Sequence, residues 1–115
     1  MSDTTELVIL KAIIRPDRLD PVRKGLEAAG VTGLTVTEVR GHGAQKGHTT
    51  IYRGKEYDVT LLPKTSVEVM VQRSLVDGAV NAIMAGARTG EIGDGRIFMI
   101  PVERTWRIRT GESEG

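Results

Sequence analysis

The chain contains no cysteine, so it can form no disulfide, thiolate nucleophile or cysteine-ligated metal site. That composition suits a reducing cytoplasm. Aromatics are scarce, with one tryptophan, two tyrosines and one phenylalanine in 115 residues. Recognition of single-stranded RNA needs rings on the central strands as stacking platforms, and the first and third strands identified below have none. Charge of one sign is also lacking: the formal net charge of +1 supplies no bulk attraction to nucleic acid or to an anionic membrane. The apolar runs fall far short of the roughly 20 residues a membrane span needs, and the polar start at 1–6 lacks the basic-then-apolar order of a secretion signal. His42 and His48 are the only histidines. A His-x5-His pair without a third ligand is a poor metal site, and no nucleophile stands beside a base. The expectation is a cytoplasmic, non-enzymatic protein with no nucleic-acid partner and no membrane insertion.

What remains is a soluble composition, 39% hydrophobic and 27% charged, of a length that fits one domain, 1–115. LVILKAII (Leu7–Ile14) is a β-branched apolar run closed by Arg15-Pro16, which predicts a buried strand. Asp20-Pro21 predicts a helix N-terminus, with Leu19, Val22, Leu26 and Ala29 at helical spacing and Gly30 as the stop. Residues 34–40 alternate Leu34, Val36 and Glu38 against Thr35, Thr37 and Val39, a second strand. The order then repeats. Residues 65–71 alternate Val67, Val69 and Val71 against Ser66, Glu68 and Met70. Ser74 with Asp77 predicts the cap of a second helix whose stripe is Val76, Val80, Ile83 and Ala87. Residues 96–103 form a fourth strand, followed by an extended tail.

Two β-α-β units of similar length predict an α+β, ferredoxin-like βαββαβ sandwich with both helices on one face. The first and last strands are apolar on both sides, however, and Ile9, Ile13, Phe98 and Ile100 cannot all face the helices. Self-association through the open sheet face is the simplest cover.

The segment 41–57, GHGAQKGHTTIYRGKEY, is too long for a hairpin turn and holds both tyrosines without offering a core face, which marks it as functional. TGEIGDG, at 89–95, has glycines that permit a sharp backbone and free N–H groups for phosphate, although the same residues make any tight helix-to-strand turn. Arg107 and Arg109, two apart on an extended segment, would share one side and clamp a polyphosphate; a solvated face with salt bridges is at least as common.

These strings, in order and without a gap, carry a family resemblance: AIIRPDRLDPVRKGLEAAGVTGLTVTEVRGHG, QKGHT, YRGKEY, LLPK, ARTGEIGDGRIF and RIRTGE. The chain resembles the PII nitrogen-regulatory signal proteins. The resemblance implies a homotrimer that binds ATP or ADP at subunit boundaries, with Mg²⁺ and 2-oxoglutarate as further effectors. It implies a T-loop at about 41–57 that reports energy and nitrogen status to protein targets, among them an ammonium transporter, regulators of glutamine synthetase and a uridylyltransferase.

Position by position, the resemblance puts Thr35, Glu68 and Met70 around adenine. Gly93, Asp94, Gly95, Arg96, Arg107 and Arg109 fall around ribose and phosphates, and Gly41, Gly43 and Lys64 also belong to the nucleotide site. Arg15, Gln45, Lys46 and Lys64 are implied for 2-oxoglutarate, with Gln45 completing the magnesium shell. Tyr57 matches a uridylylated tyrosine and Tyr52 a contact residue. Lys55 occupies the position of a serine phosphorylated in related proteins, which excludes that modification. Ala44 replaces an arginine that usually reaches the terminal phosphate, His42 a common phenylalanine and Arg96 a common lysine. The alternative reading is a PII-like adenine-nucleotide sensor tuned to another metabolite, for example in bicarbonate metabolism.

Overall fold

The computed structural model of the protein describes residues 6–41, 49–52, 55–58 and 61–114. Along the chain run β1 (Leu7–Ile14), a 3₁₀ turn (Pro16–Arg18), α1 (Leu19–Ala28), β2 (Thr35–Gly41), β3 (Thr49–Tyr52) and β4 (Lys55–Asp58). They are followed by β5 (Leu62–Gln72), a second 3₁₀ turn (Arg73–Leu75), α2 (Val76–Ala87), β6 (Gly95–Pro101), β7 (Thr105–Trp106) and β8 (Ser113–Glu114). The main sheet is antiparallel in the order β2-β5-β1-β6. This is the α+β sandwich expected from the repeated β-α-β pattern.

Burial alternates along β1, with Val8, Leu10, Ala12 and Ile14 buried and the residues between them only partly covered. The buried set meets Val67, Val69 and Val71 of β5, together with Val22 and Leu26 of α1 and Ala79, Ile83 and Ala87 of α2. All the valines of one β5 face therefore meet the helices, as strand periodicity requires. The helices cross closely because two glycines remove side chains at the contact. A Cβ at Gly86 would lie 2.8 Å from the Val22 amide nitrogen, and one at Gly25 would lie 3.3 Å from the Ala82 carbonyl oxygen.

Helix ends differ from the sequence-based expectation. Neither Asp20 nor Ser74 caps a helix. Each α-helix continues a 3₁₀ turn that starts upstream, with Arg18 and Leu75 at the N-cap positions and no side-chain cap at either. Pro21 falls within the first turn of α1, where its missing N–H removes no intrahelical bond. The C-terminus of α1 follows expectation. Gly30 takes φ 93°, its N–H bonds the Glu27 carbonyl and the Val31 N–H bonds the Leu26 carbonyl. That left-handed closure also brings Val31 into the core beside Leu26.

Three further differences concern the connections. β5 starts at Leu62, earlier than residue 65, and passes through Pro63 opposite Arg40. Proline is tolerated there because β1 extends only to the Ile14–Thr65 pair, so that stretch of β5 has β2 alone beside it. The long connection contains its own antiparallel pair, β3 with β4, in which Thr50 is opposite Tyr57. The tail is not extended but folded back as a ribbon of β7 and β8, closed by Gly111 at φ 75°. At the other end of the chain Glu6 is held, since its carbonyl accepts the Arg73 N–H at 2.7 Å. No helix among the described residues is long and apolar enough to cross a membrane.

Candidate functional site

Registers place the side chains of the open sheet face in rows. Met70, Ile9 and Ile100 make one row, Glu68, Lys11 and Phe98 the next, with Thr35 opposite Glu68, and Thr37, Ser66, Ile13 and Arg96 the third. Cross-strand partners share a face, so Thr35, Glu68 and Met70 lie together on the side away from the helices. Met70 is 50% exposed, Phe98 43% and Ile100 40%. The surface that strand periodicity leaves without a helix is thus apolar and open in the single chain. Lys11 and Glu68 cross it with a 3.9 Å ion pair, an exposed contact of small energetic weight.

At the far end of β5, two cations converge on the loop between α2 and β6. Arg15, one residue past β1, donates from Nε to Asp94 Oδ1 at 3.2 Å and from a terminal nitrogen to the Ile92 carbonyl at 2.9 Å. Lys64 donates from Nζ to the Gly93 carbonyl at 2.8 Å. Burial lowers the Lys64 pKa from its ordinary 10.5, the nearby Arg15 charge lowers it further, and Asp94 opposes them. Gly41 ends β2 beside this lysine, where an added Cβ would stand 3.4 Å from Lys64 Cγ.

The loop itself is shaped by glycines at positive φ: 89° at Gly90, 101° at Gly93 and 111° at Gly95. Gly95 is the most constrained, because a Cβ there would sit 1.7 Å from the Ile13 carbonyl oxygen, inside the β1–β6 pairing. The Asp94 carboxylate is bonded to Thr89 and Gly90 as well as to Arg15. These bonds favour the ionised form and hold its pKa far below the ordinary aspartate value, the Thr89 hydroxyl contributing most. Thr89 was not singled out by the sequence reading. Its signal was the Thr-Gly at a helix end with an aspartate five positions on, a pattern that lets a side chain bond local backbone N–H groups.

The two sets of expected site residues line different hollows. Thr35, Glu68 and Met70 border one of about 650 Å³ with Gly33 and Leu34. Asp94, Gly95 and Arg96 border another of about 370 Å³ with Arg88 and Met84. Lys64 faces a third, about 400 Å³, with Glu38, Val39 and Arg40. Along β5, Lys64 and Met70 are six residues apart, roughly 20 Å at strand rise.

Arg107 and Arg109 do not share one side of an extended segment. Arg109 lies in the turn of the C-terminal ribbon, whereas Arg107 pairs with Glu114 at 2.9 Å. The Arg104 guanidinium stacks over Trp106 at 4.7 Å on the same ribbon. Gly43, Gln45, Lys46, Ala44, His42 and His48 lie outside the described residues, and Tyr52 and Tyr57 are placed by their backbone in β3 and β4.

Comparison with known proteins adds to this geometry. A family model described as nitrogen regulatory protein P-II matches residues 8–112. A nitrogen regulatory protein P-II of Rhizobium etli is 58% identical over 106 residues, 92% of this chain and 95% of the relative. Nitrogen regulatory protein P-II 1 of Escherichia coli K12 is 53% identical over 105 residues, 91% and 94% of the two chains. Among solved structures, PII of Arabidopsis thaliana bound to citrate matches with a TM-score of 0.75 and 38% identity, covering 95% of this chain and 89% of that one.

Proposed function

The chain belongs to the nitrogen regulatory P-II family, and on that premise we propose that it is a signal transducer, not an enzyme, which binds ATP or ADP at the boundaries of a homotrimer. In this reading one copy presents adenine to Thr35, Glu68 and Met70, while the neighbouring copy presents the phosphates to the loop ending at Arg96. The observation that carries it is that these two sets line different hollows of one chain. The open apolar sheet face supports the association, since a second and third copy would remove Met70, Phe98 and Ile100 from water.

2-Oxoglutarate is the proposed second effector, held by Lys64 and Arg15 and, through Mg²⁺, by Gln45. Ammonium and guanidinium groups suit carboxylates, and a side-chain amide oxygen suits hard Mg²⁺. The citrate in the Arabidopsis protein, itself a polycarboxylate, is consistent with such a site. The segment 41–57 then carries the state of the site to target proteins: an ammonium transporter, regulators of glutamine synthetase, and a uridylyltransferase acting on Tyr57. Ala44 favours one second reading, an adenine-nucleotide sensor tuned to another metabolite, because a methyl group stands where relatives of this kind reach the terminal phosphate.

Complementation tests the shared site. Met70→Arg and Arg96→Glu trimers should each lose ATP binding, and co-expressed chains should regain it at boundaries where an intact adenine face meets an intact loop. Failure to regain any binding in mixed trimers of confirmed mass would contradict a site built from two copies.

A further inference from the structure

The Asp94 side chain has its hydrogen-bonding capacity filled by the protein. Oδ1 accepts from the Thr89 hydroxyl and from Arg15 Nε at 3.2 Å, and Oδ2 accepts from the Thr89 N–H at 2.8 Å and the Gly90 N–H at 2.9 Å. An ionised carboxylate offers about four acceptor positions, so a ribose hydroxyl or a magnesium ion could take one only by displacing a donor already there. The donors are not interchangeable surface groups. Two are backbone N–H groups at the turn out of α2, the third is the Thr89 hydroxyl, and the fourth is the guanidinium whose other arm holds the Ile92 carbonyl.

Thr89 and Asp94 also close the loop upon itself. The Thr89 hydroxyl accepts the Glu91 N–H at 3.2 Å while donating to Asp94, and the Asp94 N–H bonds the Glu91 carbonyl at 3.3 Å. Arg15 fastens this closed loop to the end of β1, 79 positions away in the chain.

We infer that Asp94 is a positioning residue: its carboxylate, with Thr89 and Arg15, staples residues 89–95 into shape before any ligand arrives and touches no ligand itself. The inference deepens the proposed nucleotide site and rests on that reading for its consequence, which is that phosphate recognition by the loop depends on Thr89 as much as on Asp94. Loop shape is then set by three side chains, and the glycines between them supply the backbone that meets the nucleotide.

Two measurements on the full-length protein separate this staple from a ligand contact. Amide hydrogen exchange without nucleotide should show Thr89 and Gly90 protected in the wild type. It should be at least about tenfold faster in Asp94→Asn and in Thr89→Val, with protection restored in Thr89→Ser, which keeps the hydroxyl. ATP affinity should fall by similar factors in Thr89→Val and Asp94→Asn, and the double variant should be no weaker than the weaker single variant, because the groups act as one unit. The staple is overturned if Asp94→Asn weakens ATP binding while the Thr89 and Gly90 amides stay slow, or if Thr89→Val changes neither quantity. If the wild type fails to bind ATP, the nucleotide reading falls, and the exchange rates alone uphold or overturn the staple.

Discussion

The Lys64 ammonium donates to the Gly93 carbonyl oxygen at 2.8 Å, a bond that ties the start of β5 to the loop after α2 across 29 positions of sequence. In the proposed function the same ammonium receives a carboxylate of 2-oxoglutarate. On that reading the acid would share or compete for an ammonium that the loop uses in its absence, which would couple the acid site to residues 89–95 through one side chain.

Lys64→Met should weaken 2-oxoglutarate binding by about tenfold or more, the loss expected for one charge-assisted hydrogen bond of roughly 1.5–3 kcal/mol. ADP affinity should change less, because only the loop tether is lost. Isothermal titration of both ligands checks the difference, and equal losses would contradict the assignment.

The same lysine predicts a pH effect. Its pKa is lowered from 10.5, so its positive charge is lost earlier on the alkaline side than that of a free lysine. 2-Oxoglutarate affinity should fall as pH rises through that lowered value. A bound carboxylate favours the ammonium and raises its pKa again, so binding should take up protons there. Titrations in buffers of different ionisation enthalpy should show this uptake in the wild type and not in Lys64→Met.

Asp94 predicts the acid limb of stability. Its folded pKa is lowered below the ordinary 3.8, so above that value the folded and unfolded states both carry the charge and the stabilisation is complete. Below it the unfolded chain binds the proton first, and the stabilisation is lost as pH falls toward the folded pKa. Chemical denaturation of Asp94→Asn should give a flatter stability profile below about pH 4 than the wild type.

Three helical glycines should respond in graded fashion to alanine. Gly86→Ala forces a Cβ against α1 backbone at 2.8 Å and should destabilise by roughly 1–3 kcal/mol. Gly25→Ala meets the Ala82 carbonyl oxygen at 3.3 Å and should lie between the extremes. Gly78 has nothing within 4 Å of the added methyl, so Gly78→Ala should stabilise by about 0.5–1 kcal/mol through helix propensity. Denaturant midpoints order the three.

Much of the fold was legible because burial on one side forces periodicity. The alternation Val67, Val69, Val71 against Ser66, Glu68, Met70 could serve only a strand with one helix-covered face, and the apolar outer residues of β1 and β6 already showed that the other face is open. Helix starts were less legible. Asp20 and Ser74 have the chemistry of caps, but the 3₁₀ turns of Pro16–Arg18 and Arg73–Leu75 begin each helix by backbone geometry alone. Nothing in the spacing of Arg107 and Arg109 showed that they would part company, since that depends on Gly111 turning the tail back onto itself. The glycine-rich string at 89–95 was visible, but the bonding of Asp94 was not. It needs Arg15, which only the pairing of β1 with β6 brings near.

One calorimetric comparison decides the proposed function: 2-oxoglutarate titrated into the protein with Mg²⁺ and ATP present, and again with ATP absent. Saturable binding with MgATP and none without it is the predicted result, because the acid is to be held partly through a nucleotide-bound Mg²⁺ and Gln45. Equal binding in both titrations, or binding in neither, would contradict the proposed function.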